Sequence, residues 1–197
     1  MVGLRYMGDR LMAKKKVKQI IHDCVKQIWM NEIQVDYSSY RLLKEDSLKN
    51  AFYHHLRNRL GDTFLEEHDL QIWTEFNDGP LKGTGKRADL AIVKIDKEDA
   101  SDGYWGNCVD EVVALFELKF KATYTAVQDI LGDVDKLRRY IEDDQVDCQY
   151  YLVAIREIEA AELQYIDDQD LWAREKVTEL LASYSDECEM EFTIIEH

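Results

Sequence analysis

Residues 112–120, VVALFELKF, form a strongly apolar segment that two charged residues interrupt. A short apolar run of this kind predicts a buried β-strand. Because side chains alternate between the two faces of a strand, Glu117 and Lys119 are expected on the same face. Burying a charge is costly unless the charge is paired or binds a metal. The two residues therefore indicate either an ion pair near a strand end or part of a functional site.

Residues 87–95, RADLAIVKI, predict a second strand with one acid, Asp89, among apolar neighbours. If the two strands are neighbours in a sheet, Asp89 and Glu117 converge on one site. Two carboxylates, a backbone carbonyl and water are the kind of oxygen ligands that Mg²⁺ prefers. Such an ion could lower the pKa of a bound water and neutralise charge on a phosphate. Lys119 could orient the water or stabilise the developing negative charge.

Ala88-Asp89, followed by Glu117-Leu118-Lys119, resembles the motif of the PD-(D/E)XK nuclease superfamily, which has the restriction-endonuclease-like fold. The resemblance covers residues 42–155 and includes the order helix, three strands, helix, strand. It implies phosphodiester hydrolysis by a water bound to Mg²⁺ or Mn²⁺, with Asp89 and Glu117 as metal ligands and Lys119 as the catalytic lysine. There are two departures from the motif. Ala88 replaces its proline, and residues 97–110 form an insertion between the two strands.

The resemblance also implies an acid on the first core helix that leans toward the metal. Glu45 and Asp46 are the candidates. Glu45 is preferred, as a metal ligand and catalytic residue, because it lies three residues before Leu48 and seven before Phe52 on the predicted inward face. The alternative is a solvated glutamate in the first turn of the helix.

The helix predicted after Lys119 is similar to the next core helix of the superfamily, in which a polar residue often lies near the site. Gln128 is the candidate for contact with substrate or water. Asp133 and Lys136, in the same helix, are interpreted as an i,i+3 pair that stabilises the helix. A purely helix-stabilising role is also open for Gln128.

The charge of the chain is unusual for a protein that binds nucleic acid, because its net value is −15. Residues 1–60 hold 12 Lys and Arg against 6 Asp and Glu, whereas residues 61–197 hold 13 against 34. The basic excess predicts a phosphate-contacting arm that includes Lys14, Lys15 and Lys16. A solvated helix face is the alternative.

The remaining pattern predicts an α/β fold, restriction-endonuclease-like, with a central mixed β-sheet flanked by helices and an extra N-terminal helix. Helices are predicted at residues 12–31, 39–60, 124–142 and 168–183, the second ending at Gly61; strands are predicted at residues 70–76, 87–95, 112–120, 149–155 and 189–195, the last at an edge. The whole chain is expected to be a single domain. Residues 1–36 form its helical extension, residues 37–160 its core, and residues 161–197 a C-terminal helix and strand.

The cysteines and the apolar segments indicate a cytoplasmic protein. Cys24, Cys108, Cys148 and Cys188 are far apart and form no CxxC pair, so they give no support to a zinc site and are expected to be reduced thiols. We find no apolar run suited to a signal peptide or a membrane span.

Three functions are compatible with these patterns. The first is a metal-dependent nuclease acting on DNA, which could be a homodimer because double-strand cutters often have two-fold symmetry. The second is a non-catalytic module of the same fold that binds a protein partner in a defence, toxin–immunity or phage system. The third is an unrelated α/β domain whose strand acids form structural ion pairs. The negative charge favours the second, and the complete acid–acid–lysine set favours the first.

Overall fold

The helical start of the chain is longer than its apolar pattern predicts. In the computed structural model, which describes residues 2–98, 105–121, 126–143, 146–159, 164–185 and 188–197, helix α1 spans Val2–Ile28. A π-helical turn, Trp29–Ile33, and a short helix α2, Gln34–Ser38, continue it. The predicted helix at residues 12–31 is therefore confirmed. Its apolar face is buried against the sheet.

Helix α3, Glu45–Glu67, begins later and ends later than predicted. Its start is fixed by Ser47, whose Oγ accepts hydrogen bonds from the backbone N–H groups of Leu43 (2.8 Å) and Lys44 (2.9 Å). Gly61 has φ 75° and ψ 151°, a conformation that costs glycine little. The first helical stretch ends there, as expected, and a second stretch continues to Glu67.

One mixed sheet runs through the described residues with its strands in chain order. They are β1 (Leu70–Phe76), β2 (Ala88–Ile95), β3 (Val109–Lys121), β4 (Gln149–Glu159), β5 (Val177–Tyr184) and β6 (Met190–Glu196). β3, β4 and β5 are mutually parallel, and the other neighbouring pairs are antiparallel. The predicted α/β class with a mixed sheet is confirmed, and β6 lies at an edge as expected.

The predicted helix at residues 168–183 is wrong. Residues 164–176 form bends and turns, and β5 follows them, between β4 and β6. All residues from 177 to 183 are buried. A strand covered on both faces lacks the alternation of apolar and polar residues, so its pattern cannot be distinguished from that of a buried helix. The described residues after 163 therefore contribute two strands instead of a helix and a strand.

Two apolar cores lie on the two faces of the sheet. On the first face, α1 and α3 pack against side chains that include Phe116 and Leu118 of β3. On the second face, helix α4, Ala126–Glu142, packs against side chains that include Leu115. Residues 21–33 contribute six buried side chains to the first core: Ile21, Cys24, Val25, Ile28, Trp29 and Ile33. The N-terminal helix is therefore an integral part of the packing of the sheet.

Two further findings concern the cysteines and the helices. All four cysteines are free, and three of them are buried. None of the described helices combines the length and the apolar character needed to cross a bilayer.

Candidate functional site

Asp89 and Glu117 lie on neighbouring strands. β2 and β3 are antiparallel, with Leu90 opposite Phe116, so Asp89 and Glu117 occupy the next cross-strand position. The backbone N–H of Leu118 donates a hydrogen bond of 2.8 Å to Asp89 Oδ2. The predicted adjacency of the two strands is confirmed. Both acids belong to the face of the sheet that α4 covers.

Glu117 is fully buried, and α4 supplies its partners. Lys136 Nζ donates to Oε2 at 2.6 Å, and the Tyr140 hydroxyl donates to Oε1 at 3.1 Å. Burial raises the pKa of the Glu117 carboxyl well above its ordinary value, and the charges of Asp89 and Asp133 raise it further. The charge of Lys136 acts in the opposite direction. The carboxylate is therefore held in a buried position by one ammonium group and one hydroxyl.

Lys119 forms two ion pairs. Its Nζ lies 3.3 Å from Glu45 Oε2 and 3.2 Å from Asp133 Oδ2. Burial lowers the pKa of Lys119, but the charges of Asp133 and Glu45 outweigh burial, so the pKa is raised and the lysine stays protonated. Glu45, at the start of α3, thus reaches the site. Asp46 instead lies 3.3 Å from Lys44 Nζ.

Asp133 and Lys136 are the residues whose role the sequence pattern did not reveal. Instead of an ion pair with each other along the helix, each contacts a charged residue of β3. Asp133, Lys136 and Tyr140 are spaced by three and four residues, so they share one face of α4. The spacing shows that the three residues share a face of α4. It does not show that this face packs against the polar end of β3, which is what gives Asp133 and Lys136 their partners.

These contacts define a carboxylate–lysine cluster, which comprises Glu45, Asp89, Glu117, Lys119, Asp133 and Lys136. Four carboxylates and two ammonium groups give it a formal charge of −2. Asp133 Oδ2 is buried and has no well-aligned hydrogen bond, although it is within ion-pair distance of Lys119. Burial raises the pKa of Asp133 more than the charge of Lys119 lowers it. With every carboxylate ionised the cluster would have a surplus of negative charge, and burial favours the protonated forms of Glu117 and Asp133.

A residue with a strained backbone flanks Asp89 on the side of β1, away from β3. Glu75 of β1 has φ 55° and lies between the pairs Thr74–Leu90 and Phe76–Ala88, opposite Asp89. Its carboxylate binds Lys49 of α3 and lies 2.8 Å from Arg87 Nε. A residue other than glycine in this region costs of order 1–3 kcal/mol and is found most often at functional sites.

The donor set suits a hard divalent cation, but it is not preassembled around one. Carboxylate oxygens are the ligands that Mg²⁺ and Mn²⁺ prefer, and the net charge of −2 would be neutralised by one such ion. Yet among the described residues, no three His, Cys, Asp or Glu side chains are arranged to hold a metal. Lys136 and Tyr140 occupy the oxygens of Glu117. Each oxygen of Glu117 has a second lone pair, so a metal would share the carboxylate with Lys136 and Tyr140.

The predicted phosphate-contacting lysines lie near the other end of β3 from this cluster. Gln128 is exposed on α4. Lys14 Nζ lies 2.8 Å from Glu111 Oε2, at the amino end of β3, while Lys15 and Lys16 are exposed nearby on α1. Glu111 and Lys119 are eight residues apart on one strand, which corresponds to about 26 Å.

Another basic segment lies nearer, in the loop that leads into β2. Lys86 Nζ is 5.8 Å from the centroid of the Tyr140 ring, whose hydroxyl contacts Glu117. Arg87, the next residue, is exposed and pairs with Glu75 beside Asp89. The contact of Lys86 with Tyr140 brings this loop to the border of the cluster.

Comparison with known proteins gives no family: no protein-family model and no curated protein sequence matches the chain.

Proposed function

We propose that this protein is a metal-dependent nuclease of the PD-(D/E)XK type that hydrolyses phosphodiester bonds of DNA in the cytoplasm. One observation carries the proposal: β2 and β3 are neighbouring strands, and Asp89 of β2 accepts a hydrogen bond from the backbone N–H of Leu118, between Glu117 and Lys119 of β3. Further support comes from the order α3, β1–β3, α4, β4, which agrees with the restriction-endonuclease-like order of helix, three strands, helix, strand.

Asp89 and Glu117 are the proposed metal ligands, with Glu45 or Asp133 as a third carboxylate. A bound Mg²⁺ or Mn²⁺ supplies Lewis-acid chemistry, because it neutralises charge on a phosphoryl oxygen and activates water. The formal charge of −2 and the four carboxylates of the cluster favour such an ion. Lys136, which lies 2.6 Å from Glu117 Oε2, would be a second cation near the phosphate.

Lys119 is the proposed catalytic cation. Glu45 and Asp133 keep it protonated and fix its ammonium group from two sides. A positioned ammonium group stabilises the negative charge that develops on a phosphate during hydrolysis. Because Lys119 is only 18% exposed, its charge is weakly screened by solvent.

The test is cleavage of fluorescently labelled DNA with Mg²⁺ or Mn²⁺ and with EDTA. The wild type is expected to cleave only with metal, while Asp89→Ala and Lys119→Ala are expected to be inactive. Lys94→Ala, which removes a partly exposed cation of β2 that pairs with Asp110, is the matched control and should cleave like the wild type. Cleavage that persists in both site variants, or that occurs in EDTA, would refute the proposal.

A second function has its own supporting observation. Both oxygens of Glu117 already have partners, which is what a non-catalytic module that binds a protein partner would show. Calorimetric titration with Mn²⁺ separates the two proposals. Binding to the wild type that disappears in Glu117→Gln supports the nuclease. Absence of binding to the folded wild type supports the module.

A further inference from the structure

The connection between α2 and α3 is the most conspicuous apolar feature of the described surface. Residues 40–44, YRLLK, end immediately before Glu45. Tyr40 is 95% exposed and Leu43 is 81% exposed, which makes them the two most exposed large hydrophobic side chains among the described residues. Two such side chains within four residues, beside two cations, provide apolar and charged surface that another molecule could contact.

The exposure is imposed by a well-bonded backbone. Tyr40 has φ 59°, in the left-handed region that a tyrosine rarely adopts. The Arg41 N–H donates to the Asp36 carbonyl oxygen at 2.9 Å, and Arg41 Nη1 donates to Asp36 Oδ1, also at 2.9 Å. The far end of the segment is held by Ser47 through the N–H groups of Leu43 and Lys44. The turn therefore holds Tyr40 and Leu43 in solvent at a cost in backbone strain.

The charges of the segment differ from those of the protein as a whole. Residues 40–44 contain two cations and no acid in a chain of net charge −15. Arg41 forms an ion pair with Asp36, and Lys44 forms one with Asp46. The side chains of the two cations are nevertheless 65% and 68% exposed. The segment also borders the carboxylate–lysine cluster, since Glu45 lies 3.3 Å from Lys119 Nζ.

We propose that residues 40–44 capture single-stranded nucleic acid beside the nuclease site. Tyr40 stacks on an unpaired base, Leu43 packs beside it, and Arg41 and Lys44 contact phosphates. Aromatic side chains combined with cations are the usual means of binding single strands, because every base has a face for stacking. A duplex keeps its bases stacked, so it cannot use this contact. The inference rests on the proposed nuclease function for its substrate class, and it narrows that class to single strands.

The experiment measures binding by fluorescence anisotropy in EDTA and low salt, with full-length protein. The probe is labelled oligothymidylate of about 20 nucleotides, which is longer than a typical single-strand binding site. Tyr40→Asn removes the ring but keeps a residue that tolerates the left-handed conformation. It is expected to weaken binding by about 5- to 150-fold, the usual loss for one stacked base. Tyr40→Trp should retain binding, and a duplex of the same length should bind more weakly than the single strand.

Leu171→Ala is the matched control, because Leu171 is 76% exposed in the turns before β5. It should bind like the wild type. The inference is overturned if Tyr40→Asn binds as tightly as the wild type, if the wild type does not bind the single strand, or if the duplex binds equally well. Failure of this inference can be distinguished from failure of the proposed function. Lys119→Ala should lose cleavage while still binding the oligonucleotide. If the wild type cleaves DNA but Tyr40→Asn binds the oligonucleotide normally, only the inference about residues 40–44 is overturned.

Discussion

The two ends of β3 carry the same kinds of residue in opposite environments. At the amino end, Glu111 lies 2.8 Å from Lys14 Nζ and 3.2 Å from Lys18 Nζ, and these three side chains are 20–52% exposed. At the carboxyl end, the Glu117 side chain is only 1% exposed, and its partner is Lys136. Both glutamates belong to one strand and both bind lysines from a helix.

Because the two ends of β3 differ in solvation, their ion pairs contribute differently to the free energy of unfolding. Exposed ion pairs contribute about 0–1 kcal/mol each, because water and salt screen the attraction. A buried pair gains more from attraction but loses the hydration of both charges, so it is often no more stable than an apolar pair. Stability alone therefore does not account for the charges at the carboxyl end. Perturbed ionisable groups of this kind are typical of functional sites.

The largest contrast is expected from the same substitution at both ends. Glu117→Gln should lower metal-dependent cleavage at least ~100-fold, because loss of a charged group that acts on the transition state typically costs this much. Glu111→Gln should change the rate less than about twofold, in line with the small value of exposed pairs. The rates are measured with one labelled oligonucleotide at saturating Mg²⁺. Similar rates in the two variants would remove the functional distinction between the ends.

The next contrast concerns stability. Lys136→Met leaves the Glu117 carboxylate buried without its cation, and we expect it to lower the free energy of unfolding by about 2–3 kcal/mol. This value is below that for a fully buried pair because Lys136 is 28% exposed. Lys18→Met, the matched change at the amino end, should cost no more than about 0.5 kcal/mol. Urea unfolding monitored by circular dichroism measures both, and equal losses would contradict the comparison.

A smaller effect is expected at Asp36, which is buried and anchors residues 40–44. Burial acts to raise the pKa of Asp36, but hydrogen bonds from His55 and Arg41 outweigh it, so the pKa lies below its ordinary value. Asp36→Asn should lower the free energy of unfolding at pH 7 by about 1–2 kcal/mol.

The sign of the pH dependence follows from that shift. An acid with a lowered pKa in the folded state stabilises the protein above its unfolded-state pKa, and the stabilisation disappears as the pH falls through the folded-state value. The difference between wild type and Asp36→Asn should therefore be full at pH 7 and shrink below pH ~4, which is near the ordinary pKa of aspartate. A difference that stays constant down to pH 3 in urea titrations would rule out this role.

The smallest effect is the coupling at the amino end. A double-mutant cycle between Lys14 and Glu111 should give at most about 0.5 kcal/mol, and this coupling should vanish in about 1 M salt, where the Debye length is about 3 Å. The cycle between Lys119 and Asp133, both largely buried, should keep most of its coupling energy in the same salt. Equal salt sensitivity in the two cycles would show that the two ends are equally solvated.

Local periodicity accounts for the parts of the fold that could be predicted. β1 has the predicted bounds, and α1 and α4 follow their apolar stripes. A helix was predicted in place of β5 because a strand buried on both faces has no period of two in its sequence. Glu45 was preferred to Asp46 because of its helical face, and it lies 3.3 Å from Lys119 Nζ; its role as a metal ligand stays a prediction.

The sequence by itself determined that Glu117 and Lys119 share a face, because alternation along a strand is a property of the backbone. It also determined that Asp89 lies in an apolar strand. Only the tertiary structure decided which charges meet them. The docking of α4 brings Asp133, Lys136 and Tyr140 onto the polar end of β3, and the docking of α1 takes Lys14 to the opposite end. The physical reason is that side-chain direction is set within an element, whereas the partner of a buried charge depends on how separate elements pack.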